Sequence, residues 1–246
     1  MKNHITPPQP WYQPVRADRV LNRSQRYDAV EWNNETLAIE GFRLQLDHFY
    51  ITPAKRLLEE EDGLFMSVAL TCILIDTLAQ YEAPALHSNK SVFMSWLKKH
   101  VPTAKDKLTV DTPNGQLAVS IDYPDKNDRI LKINDYAAAV YYGYRCGILH
   151  EAHPYMFCGI AGQYRAIKEQ HTIFKCRSGL TRYQDGSPCP TVVLNPSKLL
   201  DAILNRFKEY FELLNKPESE ESKLLLVNFK RKFLWSHGIE IGNDTK

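Results

Sequence analysis

Arg145 and His150 stand in the stretch Tyr144-Arg145-Cys146-Gly147-Ile148-Leu149-His150-Glu151, and their chemistries complement each other. A guanidinium grips a phosphate with a planar fork of donors that stays charged at physiological pH. An imidazole moves a proton near neutrality. Together they are nearly sufficient to break an RNA phosphodiester without a metal. The spacing alone says little. With four to six residues allowed between an arginine and a histidine, 13 arginines and 8 histidines give about one match by chance, and the chain contains four. The other three, Arg43 with His48, Arg165 with His171 and Arg231 with His237, read as solvent-exposed side chains.

Context sets the 145–150 pair apart. It follows Tyr141-Tyr142-Gly143-Tyr144 and encloses Cys146, Gly147, Ile148 and Leu149, so it lies on a helix that must be largely buried. A charged arginine there needs a partner or a ligand. Five residues at ~100° each leave the two side chains roughly 140° apart around the axis and about 7.5 Å apart along it. Both reach one substrate only if the helix end distorts, the long arginine curls, or a second copy of the helix completes the site. Gly147 would allow another backbone to come close. Asp76 interrupts a second apolar helix, where an unpaired carboxylate is costly. It either supports Arg145 by pairing with it, or bonds a backbone amide or faces solvent.

Other constellations are weaker. His150, Glu151 and His153 lack the one-turn spacing of a HExxH zinc motif, and the cysteine spacings do not suit zinc. No glycine-rich loop of the P-loop kind is present, so neither a metal nor a cofactor is expected. Lys230-Arg231-Lys232, beside Phe229 and Phe233, could touch an RNA backbone, but a solvated helix face is the favoured reading. Tyr141, Tyr142 and Tyr144 could stack on bases, with core packing favoured.

The 246 residues suffice for one large domain or a domain with additions. Hydrophobic residues at 43% and charged residues at 24% allow a sizeable core, and a net charge of +2 means that RNA binding would rest on a local patch. Five cysteines without close pairing suit free thiols in a reducing cytosol, and the N-terminus lacks an apolar signal core. A cytoplasmic protein is expected. The segment 64–81 is long enough to span a membrane, but Asp76 lies in its middle, so a buried helix of a soluble domain fits better than a membrane span.

The elements that must position the pair are mostly helical. Residues 1–27, with Pro7, Pro8, Pro10 and Pro14, read as an extended N-terminal arm, and 28–246 as a single domain. A first helix is expected within 30–50, although 42–46 also alternates like a strand. Pro53 suits the first turn of a helix running into 64–81, which Pro84 ends. A short helix follows over about 91–100. Asn114-Gly115 between alternating apolar residues predicts a β-hairpin over 107–122. The motif helix should run from about 135 to 150. Short strands are expected over 171–194, turning at Asp185-Gly186-Ser187-Pro188. Asn195-Pro196 starts another helix, and a last one spans about 220–236 with Gly238 as its stop. The expected fold class is mainly α, a helical bundle with small β-hairpin insertions near 107–122 and 171–194.

The stretch YRCGILHE, on a helix that follows a buried helix, resembles the HEPN superfamily, whose hallmark is an arginine, four to six residues, then a histidine. It is most similar to members reading aromatic-Arg-Cys-Gly-aliphatic-aliphatic-His-Glu. Residues 192–196, Val-Val-Leu-Asn-Pro, and the helix with Phe207, Tyr210 and Leu214 are similar to the ends of such chains, so the resemblance covers about 53–215. It implies a HEPN-like helical bundle that forms a homodimer with the motif helices facing each other. It also implies a metal-independent endoribonuclease, a toxin or antiviral defence effector, with RNA as substrate and an antitoxin or regulatory protein as a further partner. By position, Arg145 would polarise the scissile phosphate. His150 would move a proton to or from the 2′-hydroxyl or the leaving 5′-oxygen, leaving a 2′,3′-cyclic phosphate. Active relatives often carry a polar residue directly after the arginine, where this chain has Cys146. The alternative is a non-catalytic HEPN module that binds a nucleotide, RNA or a partner protein.

Overall fold

Leu64–Glu82 (α3) is apolar nearly all round, and such a helix belongs in a core. The computed structural model, which describes residues 20–22, 25–26, 34–124, 130–151, 153–155, 157–162, 172–183, 185–237 and 240–242, places it there. Among the described residues α3 is the one helix long and apolar enough to cross a bilayer, and most of it is buried inside the protein. Its hydroxyls are satisfied locally: Ser67 donates to Ala54 O at 3.0 Å and Thr71 to Ser67 O at 2.8 Å.

Around it run Glu35–Leu46 (α1), Thr52–Leu57 (α2), Lys90–His100 (α4), Pro196–Asn215 (α7) and Glu220–His237 (α8). Their starts follow from capping. Asn34, Asn89 and Asn195 each accept a backbone N–H three residues on, and Pro196 fills the first turn of α7. Phe42, Tyr81, Phe211, Phe229 and Phe233 join α1, α3, α7 and α8 in one aromatic cluster. Residues 42–46 are helical.

The motif helix is not a plain α-helix. It begins as Tyr136–Ala139 (α5), capped by Asp135, which accepts from Ala138 N at 2.8 Å. It widens into a π-helical stretch over Val140–Cys146 and closes as Gly147–Glu151 (α6). A second π turn, Asp47–Ile51, joins α1 to α2.

The fold class needs correction, because strands are part of the core and not only hairpins inserted into a bundle. Phe174–Arg182 (β8) and Pro188–Leu194 (β9) pair antiparallel, and Cys158–Ile160 (β7) runs parallel to β9, giving a mixed sheet of order β7-β9-β8. The middle strand supplies Val192, Val193 and Leu194, all fully buried. A three-residue strand carries no period to read, and its parallel partner comes over thirty residues later. The protein therefore combines a helical layer with a mixed sheet.

Three further strand pairs are present among the described residues. Thr109–Thr112 (β3) pairs with Gly115–Ala118 (β4), with Pro113 and Asn114 in the turn and Gly115 at φ +113°. Ile121 belongs instead to a separate hairpin, Ile121–Pro124 (β5) with Ile130–Ile133 (β6). Val20–Asn22 (β1) and Gln25–Arg26 (β2) pair within the expected arm, most of which lies outside the described residues, as do Arg165, His171 and Gly238.

Candidate active site

The sheet is what fixes the motif helix. Tyr144 is fully buried, and its hydroxyl sits 2.5 Å from Gly159 O on β7 and 2.7 Å from Val192 O on β9. Burial pushes its pKa well above that of a free phenol, so it serves as a neutral peg. Two glycines let the chain close around the helix. A Cβ at Gly143 would run into Cys158 Sγ and lie 2.8 Å from the Phe157 ring. A Cβ at Gly147 would lie 2.7 Å from His153 O. The backbone that approaches Gly147 is thus the chain's own 153–155 segment, whose Tyr155 N–H also donates to Gly143 O at 3.1 Å.

The two side chains meet within one chain: the π-helical stretch ends at Cys146, the helix continues as α6 past His150, and the long Arg145 side chain brings Nη1 to 3.4 Å from His150 Nε2. A guanidinium nitrogen can only donate, so this contact makes Nε2 the acceptor and places the ring proton on Nδ1.

Asp76 supplies the support. Its Oδ2 accepts from Arg145 Nη2 at 2.9 Å and from Nε at 3.2 Å, while Oδ1 accepts from Ser88 Oγ. Burial works against the Arg145 charge, but the hydrogen bonds and charge of Asp76 outweigh it, so its pKa is raised and the cation is secured. The side chain of Arg145 is 17% exposed and that of Asp76 12%, whereas His150 is exposed. Tyr141 lies against the guanidinium, its ring centroid 5.6 Å from Cζ. Cys146 Sγ is 4.0 Å from Nη1, and burial raises its thiol pKa although Arg145 pulls the other way. The arrangement is a guanidinium locked on one edge, with its remaining nitrogen turned to an accessible imidazole.

The other candidates go elsewhere. Arg43 is engaged by Glu40 at 2.6 Å, and the His237 ring stacks on Phe233 at 4.1 Å. The basic run of α8 is not a solvated face. Lys232 is buried, donates to Gln80 Oε1 at 2.8 Å and Leu86 O at 2.6 Å, and lies 4.2 Å over the Trp235 ring. Lys230 pairs with Glu35. Tyr141 and Tyr142 are half-buried. Among the described residues no three His, Cys, Asp or Glu side chains gather as a metal site.

Sequence reasoning missed Ser88, which no motif marks. It also missed a second buried cluster. Arg206 of α7 grips Glu82 of α3 with Nε at 2.9 Å and Nη2 at 2.7 Å, and His100 Nε2 of α4 lies 3.1 Å from the same carboxylate. Compared with family models, with curated proteins and with solved structures, the chain matches none of them.

Proposed function

We propose that this chain is a metal-independent endoribonuclease that cleaves RNA by attack of the ribose 2′-hydroxyl on the adjacent phosphate. The observation that carries this reading is the Arg145–His150 contact of 3.4 Å, with Arg145 held from behind by Asp76. Arg145 Nη1, beside the exposed His150, would hold a non-bridging phosphate oxygen, stabilising the charge that builds there. His150 Nε2, the basic nitrogen in this tautomer, would take the 2′-hydroxyl proton. The imidazolium so formed would return that proton to the departing 5′-oxygen. The 2′-O–P bond forms as the P–O5′ bond breaks, leaving a 2′,3′-cyclic phosphate and a 5′-hydroxyl. The resemblance of residues 144–151 to the HEPN motif supports the same chemistry, and with it a homodimer and a toxin or defence role in the cytoplasm. The pair meets inside one chain, so a two-fold assembly would bring together two complete pairs.

A second reading, a non-catalytic module that holds RNA, a nucleotide or a partner protein at Arg145, is favoured by the apolar-leaning Cys146 beside the arginine.

The test is cleavage of single-stranded RNA with a chelator present. Wild type should yield 2′,3′-cyclic phosphate ends. Arg145→Ala should lose about 100- to 1,000-fold and His150→Ala about 100- to 10,000-fold. An equimolar mixture of the two variants should stay inactive, since each chain carries its own pair. Undiminished cleavage by both variants would remove the pair from the chemistry. Recovery on mixing would show that the site is shared between subunits.

A further inference from the structure

A pocket of about 210 Å³ opens beside the motif helix, walled by Tyr123 of β5, Tyr155, Phe157, Tyr183, Ile121 and Cys189. It is smaller than the ~300–1,000 Å³ typical of drug-sized ligands, which suits one flat ring system. Four aromatic rings dominate its walls, and the one carboxylate among its lining residues, Asp122, is paired with Lys132 at 3.1 Å. The Tyr155 and Phe157 rings lie within 12° of parallel at 6.1 Å, and Tyr123 meets both edge-on, at 5.2 and 6.1 Å. Tyr123, Tyr155 and Tyr183 are each only half-buried, so their rings pack on the core and still border open space.

A chain of packed rings links the pocket wall to the site. Tyr123 packs on Tyr142 at 5.1 Å, Tyr142 on Tyr141 at 5.2 Å, and Tyr141 lies 5.6 Å from the Arg145 guanidinium. Midway along this path the exposed Lys90 holds its ammonium 4.9 Å from the Tyr142 ring centroid. Aromatic rings interleaved with cations are what a single nucleic-acid strand requires, rings for its bases and charges for its backbone. Three contacts of 5–6 Å match a run of about two to four nucleotides.

Resting on the ribonuclease reading above, we propose that this pocket seats one unpaired nucleobase of the RNA strand whose scissile phosphate lies at Arg145, with Lys90 bound to a phosphate between them. Stacking recognises any base by its π face, so the pocket demands a base without selecting which.

The experiment uses the full chain carrying His150→Ala, which keeps the RNA intact, and short single-stranded RNAs with one 2-aminopurine moved along the strand. One position should be strongly quenched on binding. Tyr123→Leu should abolish that quenching and weaken binding about 5- to 150-fold, while Tyr123→Phe should retain both, separating stacking from any loss of fold. An abasic nucleotide at the same position should weaken binding to the parent protein and add nothing to Tyr123→Leu. Unchanged binding by Tyr123→Leu, or quenching at no position, would overturn the pocket and leave the Arg145–His150 chemistry standing. Position-specific quenching by a chain whose wild type cleaves nothing would keep the pocket and remove the nuclease. A chain that binds no single-stranded RNA would remove both.

Discussion

Helix α3 holds two arginines from other elements with two carboxylates six residues apart, and the two pairs end differently. Glu82 takes Arg206 with both oxygens, and His100 closes on the same group. The third arginine nitrogen goes to Glu209 at 2.9 Å, and only 5% of the Arg206 side chain is exposed. Asp76 instead engages Arg145 along one edge through a single oxygen, and the third nitrogen turns toward an exposed histidine. In the same kit of carboxylate, guanidinium and imidazole, the guanidinium is sealed in one place and left open in the other. A sealed guanidinium has no donor to offer a ligand. An open one keeps a fixed charge beside a base aimed outward, which is what a phosphate requires.

The largest effect should separate the pairs by stability. Arg206→Met strands Glu82 in the interior and should cost about 3–5 kcal/mol. Arg145→Met leaves Asp76 its hydrogen bond from Ser88 and some water, so a loss of about 1–3 kcal/mol is expected. Denaturant melts of both variants measure the difference. Equal losses would mean that Arg145 is as structural as Arg206, and the contrast would fail.

Asp76→Asn should give a smaller effect, confined to activity. The amide keeps the shape but weakens the hold on the guanidinium, and a misplacement on the order of 1 Å costs up to about 100-fold. RNA cleavage should fall about 10- to 100-fold, in kcat more than in KM, because Arg145 still carries its charge. A rise in KM alone would show that Asp76 tunes binding and not the orientation of the arginine.

The open pair was legible from sequence because a lone aspartate and a lone arginine in apolar helices each demand compensation. That they meet is the simplest solution. What brings His150 to the arginine was not legible. The reach of a long side chain has no residue signature, and neither does the close approach of β7 to Gly143 and of the 153–155 segment to Gly147. The sealed cluster was invisible for another reason. Glu82, His100 and Arg206 each read as a charge or polar group on its own helix, and only the packing of three helices brings them together. The sheet was half-read: β8 and β9 announce themselves by alternation and a turn, while β7 is defined only by its partner.

The smallest effect is on acid stability and belongs to the sealed cluster. Burial alone would raise the Glu82 pKa, but His100 beside it and the charged, hydrogen-bonded Arg206 outweigh it, so the folded value lies below that of a free glutamate. A carboxyl group with a lowered folded pKa binds fewer protons folded than unfolded. Its contribution is therefore complete above the unfolded pKa of about 4.3 and drains away as pH falls through the depressed folded value. Glu82→Gln should melt at a lower temperature than wild type at pH 7. Between pH 5 and pH 3 its melting temperature should fall less steeply, because the titrating group is gone while every other carboxylate remains. Thermal melts across that range read both slopes. Parallel slopes would show that the acid sensitivity lies elsewhere, and that the two partners of the buried carboxylate hold it by packing more than by charge.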